Sequence, residues 1–559
     1  MPTETNQPGK ASVASNDAMP TGRQASAPSA DPPKPAPPTP EQRPERAAKK
    51  QKKTVSPKSK PPAGPAPVRD RSMAWMILLV LLAVTAIPIY TYLGTYNAPS
   101  EEHERTRQIT AESWRHRHMM YQGDVTLESM VPVLNYEPQL NKPPGIVWLN
   151  QLAFTQLDPA TATDSEIAYQ MRLVSALFAL LTIAAVFWAG FSVGGLKTAS
   201  FSALTLLACP VLILFARAGS PQMPLVGMQT LAVASAMWAL RPLRTTPSLP
   251  RQALGWIICG IALGMAVLTG SFAVAPLIFL PILVISIMCP NRVSHLLGLI
   301  ASIFIAALMV MPWALYVHGQ DTQIWQQWIG SLWPEIMASP STFGRALSDR
   351  GLLVLIMVMP WTLWLIGSLA QPFSASSSGV RRRVFIGWAW LLSVMVLVVT
   401  GPGRDGLTGL LPILPAASIL IGQCLRLFSD LSAEARHART WRITRWPHLA
   451  MLFVVSIALP ASMYFQNTLI EHGILNQPVV AALPWYFWTG LSASLLLITA
   501  LSTRFALRHY PGKAMVCWSL WSIVLMSVML IPLSRGPLMN KTAGEMTTPA
   551  WAHLLPGGP

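Results

Sequence analysis

Long apolar runs separated by short polar breaks dominate the chain from residue 73 onward. Runs of about 17–24 residues match the length a helix needs to cross ~30 Å of hydrocarbon at 1.5 Å per residue. They fall near 73–94, 170–193, 199–216, 222–240, 253–270, 272–289, 296–317, 351–371, 384–400, 406–425, 447–466, 484–503 and 514–533. The pattern predicts an all-α polytopic membrane protein of about thirteen transmembrane helices. An odd number places the two termini on opposite sides of the bilayer. Every second loop carries basic residues, including Lys197, Arg241, Arg292, Arg381–Arg383, Arg436–Arg445 and Arg504–Lys513. Acidic residues are nearly absent from those loops. The bias predicts that they are cytoplasmic, with the N-terminus inside and the C-terminus outside.

Residues 1–72 are rich in Pro, Ala, Ser and Lys and poor in large apolar side chains. Such a segment cannot bury enough surface to offset its ordering entropy, so a disordered, basic, cytoplasmic tail is expected. The stretch is too long and too rich in proline for a secretory n-region, which makes the first helix an anchor. The expected organisation is the tail 1–72, a catalytic membrane module 73–425, further transmembrane helices over 426–533 and a tail 534–559. The first outer loop, 95–169, is long and of mixed charge. Helix-like text from Glu104 to Tyr121 precedes a turn-rich stretch from Gly123 to Gly145. One or two amphipathic helices lying on the membrane surface are expected. The apolar residues Ile109, Trp114, Met119 and Met120 look too few for a core of their own.

Composition narrows the function. The 559 residues are 52% hydrophobic and 12% charged, against roughly a quarter charged in a soluble domain. The net charge of +17 would raise nucleic acid as a partner in a soluble protein. Here it sits in the tail and loops, where it acts as a topological signal and an attraction to anionic lipid. The five cysteines, Cys209, Cys259, Cys289, Cys424 and Cys517, show no metal-ligand spacing and read as small buried hydrophobes. No phosphate-binding glycine fingerprint is present, which disfavours a nucleotide-driven pump or a nucleotide-sugar enzyme. His116 and His118 are two apart, hence on different helix faces, and make a poor metal pair.

Ionisable groups at the outer membrane boundary are costly unless used or paired. Glu101, Glu102 and Glu104, with His103 and Arg105, crowd three carboxylates into four positions, which raises at least one pKa and suits a general base. Acidic residues also favour a helix N-terminus for purely structural reasons. In Val131–Gly145, Lys142 is followed by two prolines that fix the backbone, and then by Ile146, Val147 and Trp148. A lysine pinned at the lipid boundary can bind a lipid phosphate or simply snorkel. Arg172 and Arg217 lie near the outer face against the positive-inside trend. Arg404 and Asp405 sit in a short hairpin before a helix interrupted by Pro412 and Pro415, a pattern tolerated at membrane depth where it lines a cavity.

Taken in order, these features resemble a known family. They are the acidic group after the first helix, the P-x-L-N-x-x-P-x-L-x-K-P-P stretch ending at Pro144, Arg172-Leu173, Ala216-Arg217, Pro-Trp at 312–313 and 360–361, and the late LLPILPAASILIG. The sequence is similar to GT-C class membrane glycosyltransferases, nearest to the lipid A aminoarabinose transferases of glycosyltransferase family 83 and more distantly to protein O-mannosyltransferases. The resemblance implies a GT-C-like fold and transfer of a sugar from a polyprenyl-phosphate donor to a lipid, glycan or protein acceptor at the outer face of a bacterial inner membrane. It puts Glu102, with Glu101 as the nearest alternative, at the catalytic base. It puts Lys142 at the donor phosphate, and Arg105, Arg172, Arg217 and Arg404 near positions that carry basic groups.

The sequence departs from the family at Asn141, where the family often has Glu. It also departs at Ser220–Gln222, where an acidic residue often follows the Ala-Arg pair, and at Thr269–Ser271, in place of Thr-Lys-Gly. No cofactor is required by this reading; a divalent metal is the one the resemblance would admit. A cationic clamp on the leaving phosphate and a carboxylate on the opposite side of the anomeric carbon suffice for inverting transfer. Two other readings stay open. One is a lapsed relative that binds polyprenyl lipid, suggested by the replaced acidic positions. The other is a transporter or flippase, against which stand the lack of an inverted repeat and of ionisable groups deep in a helix.

Overall fold

In the computed structural model, the described residues are 68–91, 93, 101–126, 128–240, 248–324, 326, 350–370, 378–400, 409–430, 435–472, 483–508 and 510–534. Residues 1–67, the 401–405 hairpin with Arg404, and the stretch after 534 lie outside them. The chain is a multi-pass membrane protein built almost entirely of helices. In order these are α1 (Val68–Tyr90), α2 (Glu101–Tyr121), α3 (Gly145–Leu152), α4 (Asp164–Gly194), α5 (Leu196–Leu207), α6 (Pro210–Arg217), α7 (Gln222–Leu240), α8 (Leu249–Thr269), α9 (Ala275–Met288) and α10 (Arg292–Gln320). They continue with α11 (Arg350–Met357), α12 (Thr362–Leu369), α13 (Ser378–Thr400), α14 (Ile413–Asp430), α15 (Ala435–Tyr464), α16 (Gln466–Glu471), α17 (Trp485–Leu507) and α18 (Pro511–Ser534).

Among the described residues, eight helices are long and apolar enough to cross a membrane, and ten spans result if each bent pair counts as one. Thirteen crossings are therefore not established, although each predicted run coincides with a helix. Three runs form shorter apolar helices, Phe272–Met288, Arg383–Val398 and Ile413–Ser429. The run predicted over 199–216 is the pair α5 and α6, bent by 64°. Pro210 opens α6, and a proline there can neither donate to the preceding turn nor clear its carbonyl. The run predicted over 351–371 is α11 and α12, bent by 114° around Pro360.

Other boundaries move for local reasons. α4 starts at Asp164, ahead of its apolar run, because Thr163 and Glu166 form a reciprocal capping box. α15 extends back to Ala435 through arginine-rich text expected as loop; Ala and Arg are strong helix formers.

One continuous core runs from Ala74 in α1 to Met529 in α18. α7 lies between α4 and α8, and α8 packs in turn on α10. Each long helix buries one stripe and leaves another apolar and exposed. α1 buries Ala74, Leu78, Leu81 and Thr85 while exposing Trp75, Met76, Leu79 and Val80. A stripe that is apolar and unpacked is what lipid solvates. Cys209, Cys259, Cys289 and Cys424 are buried and Cys517 is half-buried, and none of the five is in a disulfide.

Candidate functional site

The long loop after α1 holds most of the candidate chemistry, and it is more structured than the sequence suggested. α2 and α3 are the expected helices. Between them lies a short hairpin, β1 (Val133–Leu134) antiparallel to β2 (Glu137–Pro138). Its two turn residues, Asn135 and Tyr136, both have positive φ, 54° and 63°. Such a turn favours Asn-Gly, so Tyr136 is strained there. Glu112 of α2 compensates. Its carboxylate accepts both turn N–H groups, from Asn135 at 2.9 Å and Tyr136 at 2.7 Å. Ser113, one residue on, exchanges hydrogen bonds with the backbone of Val133. The loop also has a small core after all. Ala111 and Trp114 of α2 pack with Phe154, Ile167 and Met171, the last two supplied by the early turns of α4. Met119 and Met120 are exposed.

Lys142 follows the hairpin and is exposed. Pro143 after it disfavours helical backbone at the lysine, and Pro144 opens α3 as its N-cap. The far side of this turn is pinned by Gly145. A Cβ there would lie 2.6 Å from both the carbonyl carbon and the oxygen of Leu268, at the end of α8. Only glycine permits that approach. Trp148 donates its indole N–H to the Met130 carbonyl at 2.8 Å and meets Trp313 of α10 edge-on at 5.9 Å. Lys142 is thus carried on a segment tied to α2 on one side and to α8 and α10 on the other.

Glu101 and Glu102 open α2 on the backbone; their side chains are not among the described residues. Arg105 is exposed one turn further on. Glu104 is engaged by Arg107, which also reaches Asp164 at 3.1 Å and so joins α2 to the start of α4. The hydrogen bond to Glu104 is the main reason the Arg107 pKa is raised. His118 pairs its Nδ1 with the Trp114 carbonyl, and His116 meets Tyr121 and Tyr136 edge-on. Among the described residues no group of three or more His, Cys, Asp or Glu could hold a metal ion.

Arg172 and Arg217 are the basic groups read as lying near the donor phosphate. Both are buried, Arg217 completely. Arg217 donates from one terminal nitrogen to the carbonyls of Pro88 and Ile89, each at 2.9 Å, and to that of Thr91. Arg172 donates to the Leu93 carbonyl at 3.1 Å. Pro88 and Ile89 belong to the last turn of α1, whose carbonyls have no partner within the helix. Arg217 therefore caps the end of α1, and Arg172 holds the backbone just beyond it. Gly219, with φ of 67°, lets the α6–α7 corner lie against Arg172, and Ser175 donates to the Ser220 carbonyl beside it. Sequence reasoning missed Arg107 and Glu112 as site-building residues. Glu112's partners and Arg107's contact with Asp164 are distant in sequence; only the pairing of Arg107 with Glu104, three residues before it, is local.

The fold matches the crystal structure of ArnT from Cupriavidus metallidurans bound to undecaprenyl phosphate, with a TM-score of 0.60 at 19% identity over 86% of this chain and 79% of that one. The apo form of the same protein matches equally, at a TM-score of 0.60 over 87% and 81%. Residues 121–326 match the family model described as dolichyl-phosphate-mannose-protein mannosyltransferase. Among characterised relatives, the undecaprenyl phosphate-alpha-4-amino-4-deoxy-L-arabinose arabinosyl transferase of Pectobacterium carotovorum is 25% identical over 62% of this chain and 58% of its own length. The enzyme of that name from Pseudomonas aeruginosa is 28% identical over 52% and 49%. The matched region thus spans about half to three fifths of those relatives. The similarity to aminoarabinose transferases and their mannosyltransferase kin read from the motifs stands.

Proposed function

We propose that this chain is a polyprenyl-phosphate-sugar-dependent glycosyltransferase of the bacterial inner membrane. Its N-terminus is cytoplasmic, its C-terminus periplasmic, and residues 73–425 form the catalytic module. The donor is an undecaprenyl-phosphate-linked sugar, as the names of the relatives say of those proteins, and the acceptor is lipid A or another envelope lipid, glycan or protein. One observation carries this reading: an exposed Lys142 is held on a proline-fixed turn that is tied to α2, the helix Glu101 and Glu102 open.

The chemistry follows from the charges. As the anomeric C–O bond breaks, negative charge builds on the phosphate oxygens. An ammonium placed there strengthens its interaction in the transition state and so lowers the barrier. Glu102, or Glu101 beside it, takes the proton of the attacking acceptor hydroxyl. The acceptor enters opposite the leaving phosphate, so the anomeric centre inverts. Arg105 follows Glu101 by one helical turn on the backbone of α2, and Arg404 is assigned to the donor phosphate on the resemblance alone. Arg172 and Arg217 act one step back, holding the end of α1 from which the chain runs to α2.

Purified full-length protein given undecaprenyl-phosphate-linked 4-amino-4-deoxyarabinose and lipid A should form modified lipid A, and Lys142→Ala should stop it. Protein that binds undecaprenyl phosphate but transfers no sugar from any such donor would refute the enzyme reading in favour of a lapsed relative. Movement of lipid across proteoliposomes without chemical change would refute it in favour of a flippase.

A further inference from the structure

Outside the proposed catalytic face, the C-terminal helices α15 and α17 enclose a groove of about 800 Å³. Its walls are apolar, with Trp446, Phe453, Leu496 and Ala500 among them, and one end is lined by Arg504 and Arg508. The threonines in the wall do not make it polar. Thr499 and Thr503 turn their hydroxyls back to carbonyls of their own helix, those of Leu495 and Thr499. Trp446 and Phe453 remain exposed, so the groove faces the surrounding lipid.

The basic end is built in layers. Arg445 is buried, donates to the Ala506 carbonyl at 3.1 Å and sits 5.2 Å from the centre of the Trp446 ring. Lys513 lies over the rings of Tyr510 at 5.0 Å and Phe505 at 5.7 Å. Arg504 and Arg508 are exposed, one turn apart on the same face. Neither α15, α17 nor α18 contains an aspartate or glutamate. Arg504 and Arg508 therefore share their helix with no acidic residue.

We propose that this groove is a binding site for a glycerophospholipid with an anionic headgroup. The acyl chains lie along Trp446, Phe453, Leu496 and Ala500, and the headgroup phosphate is held by Arg504 and Arg508. Charge complementarity selects this occupant. An apolar groove in a bilayer fills with any lipid, but two guanidinium groups one helical turn apart at its mouth favour the lipid that brings net negative charge. The charge pattern of the loops puts this end on the cytoplasmic side, where the inner leaflet supplies such lipids.

Native mass spectrometry of the full chain in detergent tests it, with phosphatidylglycerol and phosphatidylcholine as the probes. The wild type should retain phosphatidylglycerol in preference. Arg504→Gln with Arg508→Gln should weaken that preference roughly ten- to thirty-fold. Removing two charges elsewhere, Arg292→Gln with Arg381→Gln, should leave it within about two-fold. Ala500→Trp, which fills the groove, should reduce retention of phosphatidylglycerol; a monodisperse gel-filtration profile confirms that this variant is folded. Lys142→Ala, although it impairs transfer, should leave retention of phosphatidylglycerol within about two-fold, which separates this site from that of the polyprenyl donor. A wild-type preference in the Arg504/Arg508 variant, an equal loss in the Arg292/Arg381 variant, undiminished retention in Ala500→Trp, or a loss in Lys142→Ala would each overturn the proposal.

Discussion

Arg217 gives the sharpest test of how the outer face is built. Its side chain is fully buried, and one terminal nitrogen faces three carbonyls at the end of α1. That nitrogen has two hydrogens, so no more than two bonds can be well formed at once. Hydrogen bonds involving a charged group contribute about 1.5–3 kcal/mol each. Arg217→Met keeps much of the volume and removes the donors, so the loss should be about 3–5 kcal/mol, including the cost of leaving buried carbonyls unsatisfied. That is a large part of a total stability of roughly 5–15 kcal/mol. Arg217→Lys keeps the charge but not the fork, and should fall between. The assay is thermal unfolding of the detergent-solubilised full chain, followed by loss of the monodisperse gel-filtration peak. Arg217→Met should lose the peak several degrees below wild type. A wild-type unfolding temperature together with a raised KM for the donor would refute the helix-capping assignment and return Arg217 to the phosphate.

Four further outcomes follow from the same geometry. Lys142→Ala should lower transfer by about 10²–10³-fold, and Lys142→Arg should keep part of the rate; initial rates at saturating donor decide it. Gly145→Ala places a methyl 2.6 Å from the Leu268 backbone and must displace the turn; it should lower both transfer and stability, the latter by about 1–3 kcal/mol, in the same rate and thermal assays. Glu166 has its pKa lowered first by the backbone N–H of Thr163 and then by its hydroxyl. Its contribution is complete above the ordinary carboxylate pKa and is lost as pH falls through the lower folded value. Thermal stability of wild type should therefore drop more than that of Glu166→Gln between about pH 6 and about pH 3, and equal slopes would exclude the capping box as the cause. His448 is fully buried among Trp361, Trp364 and Trp518, and neither ring nitrogen has a hydrogen-bond partner among the described residues. His448→Phe should raise the unfolding temperature, by an amount corresponding to about 1–2 kcal/mol, and a lower temperature would show that the imidazole is satisfied.

The features legible in the sequence were those written locally. Apolar runs located the helices because a bilayer imposes a length on them, and Lys142-Pro-Pro-Gly145 marked a fixed turn because proline restricts both itself and its predecessor. The early start of α4 was also written locally, in Thr163-Asp-Ser-Glu166, and was overlooked beside the stronger apolar run. The bend at Pro210 was visible as a residue, but not as a 64° angle, since proline alone does not say whether a helix kinks or breaks. The hairpin at Asn135–Tyr136 was hidden because its second turn residue is not glycine. It is held by Glu112, which lies 23 and 24 positions earlier. Arg217 reaches carbonyls more than a hundred residues away. No periodicity carries information of that kind.

Buried arginines are costly unless something local receives their charge, so Arg172 and Arg217 need a partner where they stand. A bound phosphate is one such partner; the end of a helix is another. The C-terminus of α1 carries roughly half a negative charge on carbonyls without partners in the helix. On the proposed reading, exposed Lys142 meets the donor phosphate, while the two buried arginines hold the backbone at the end of α1. Substituting Lys142 should then slow the chemical step with the fold intact. Substituting Arg172 or Arg217 should lose the fold first, and activity only as a consequence.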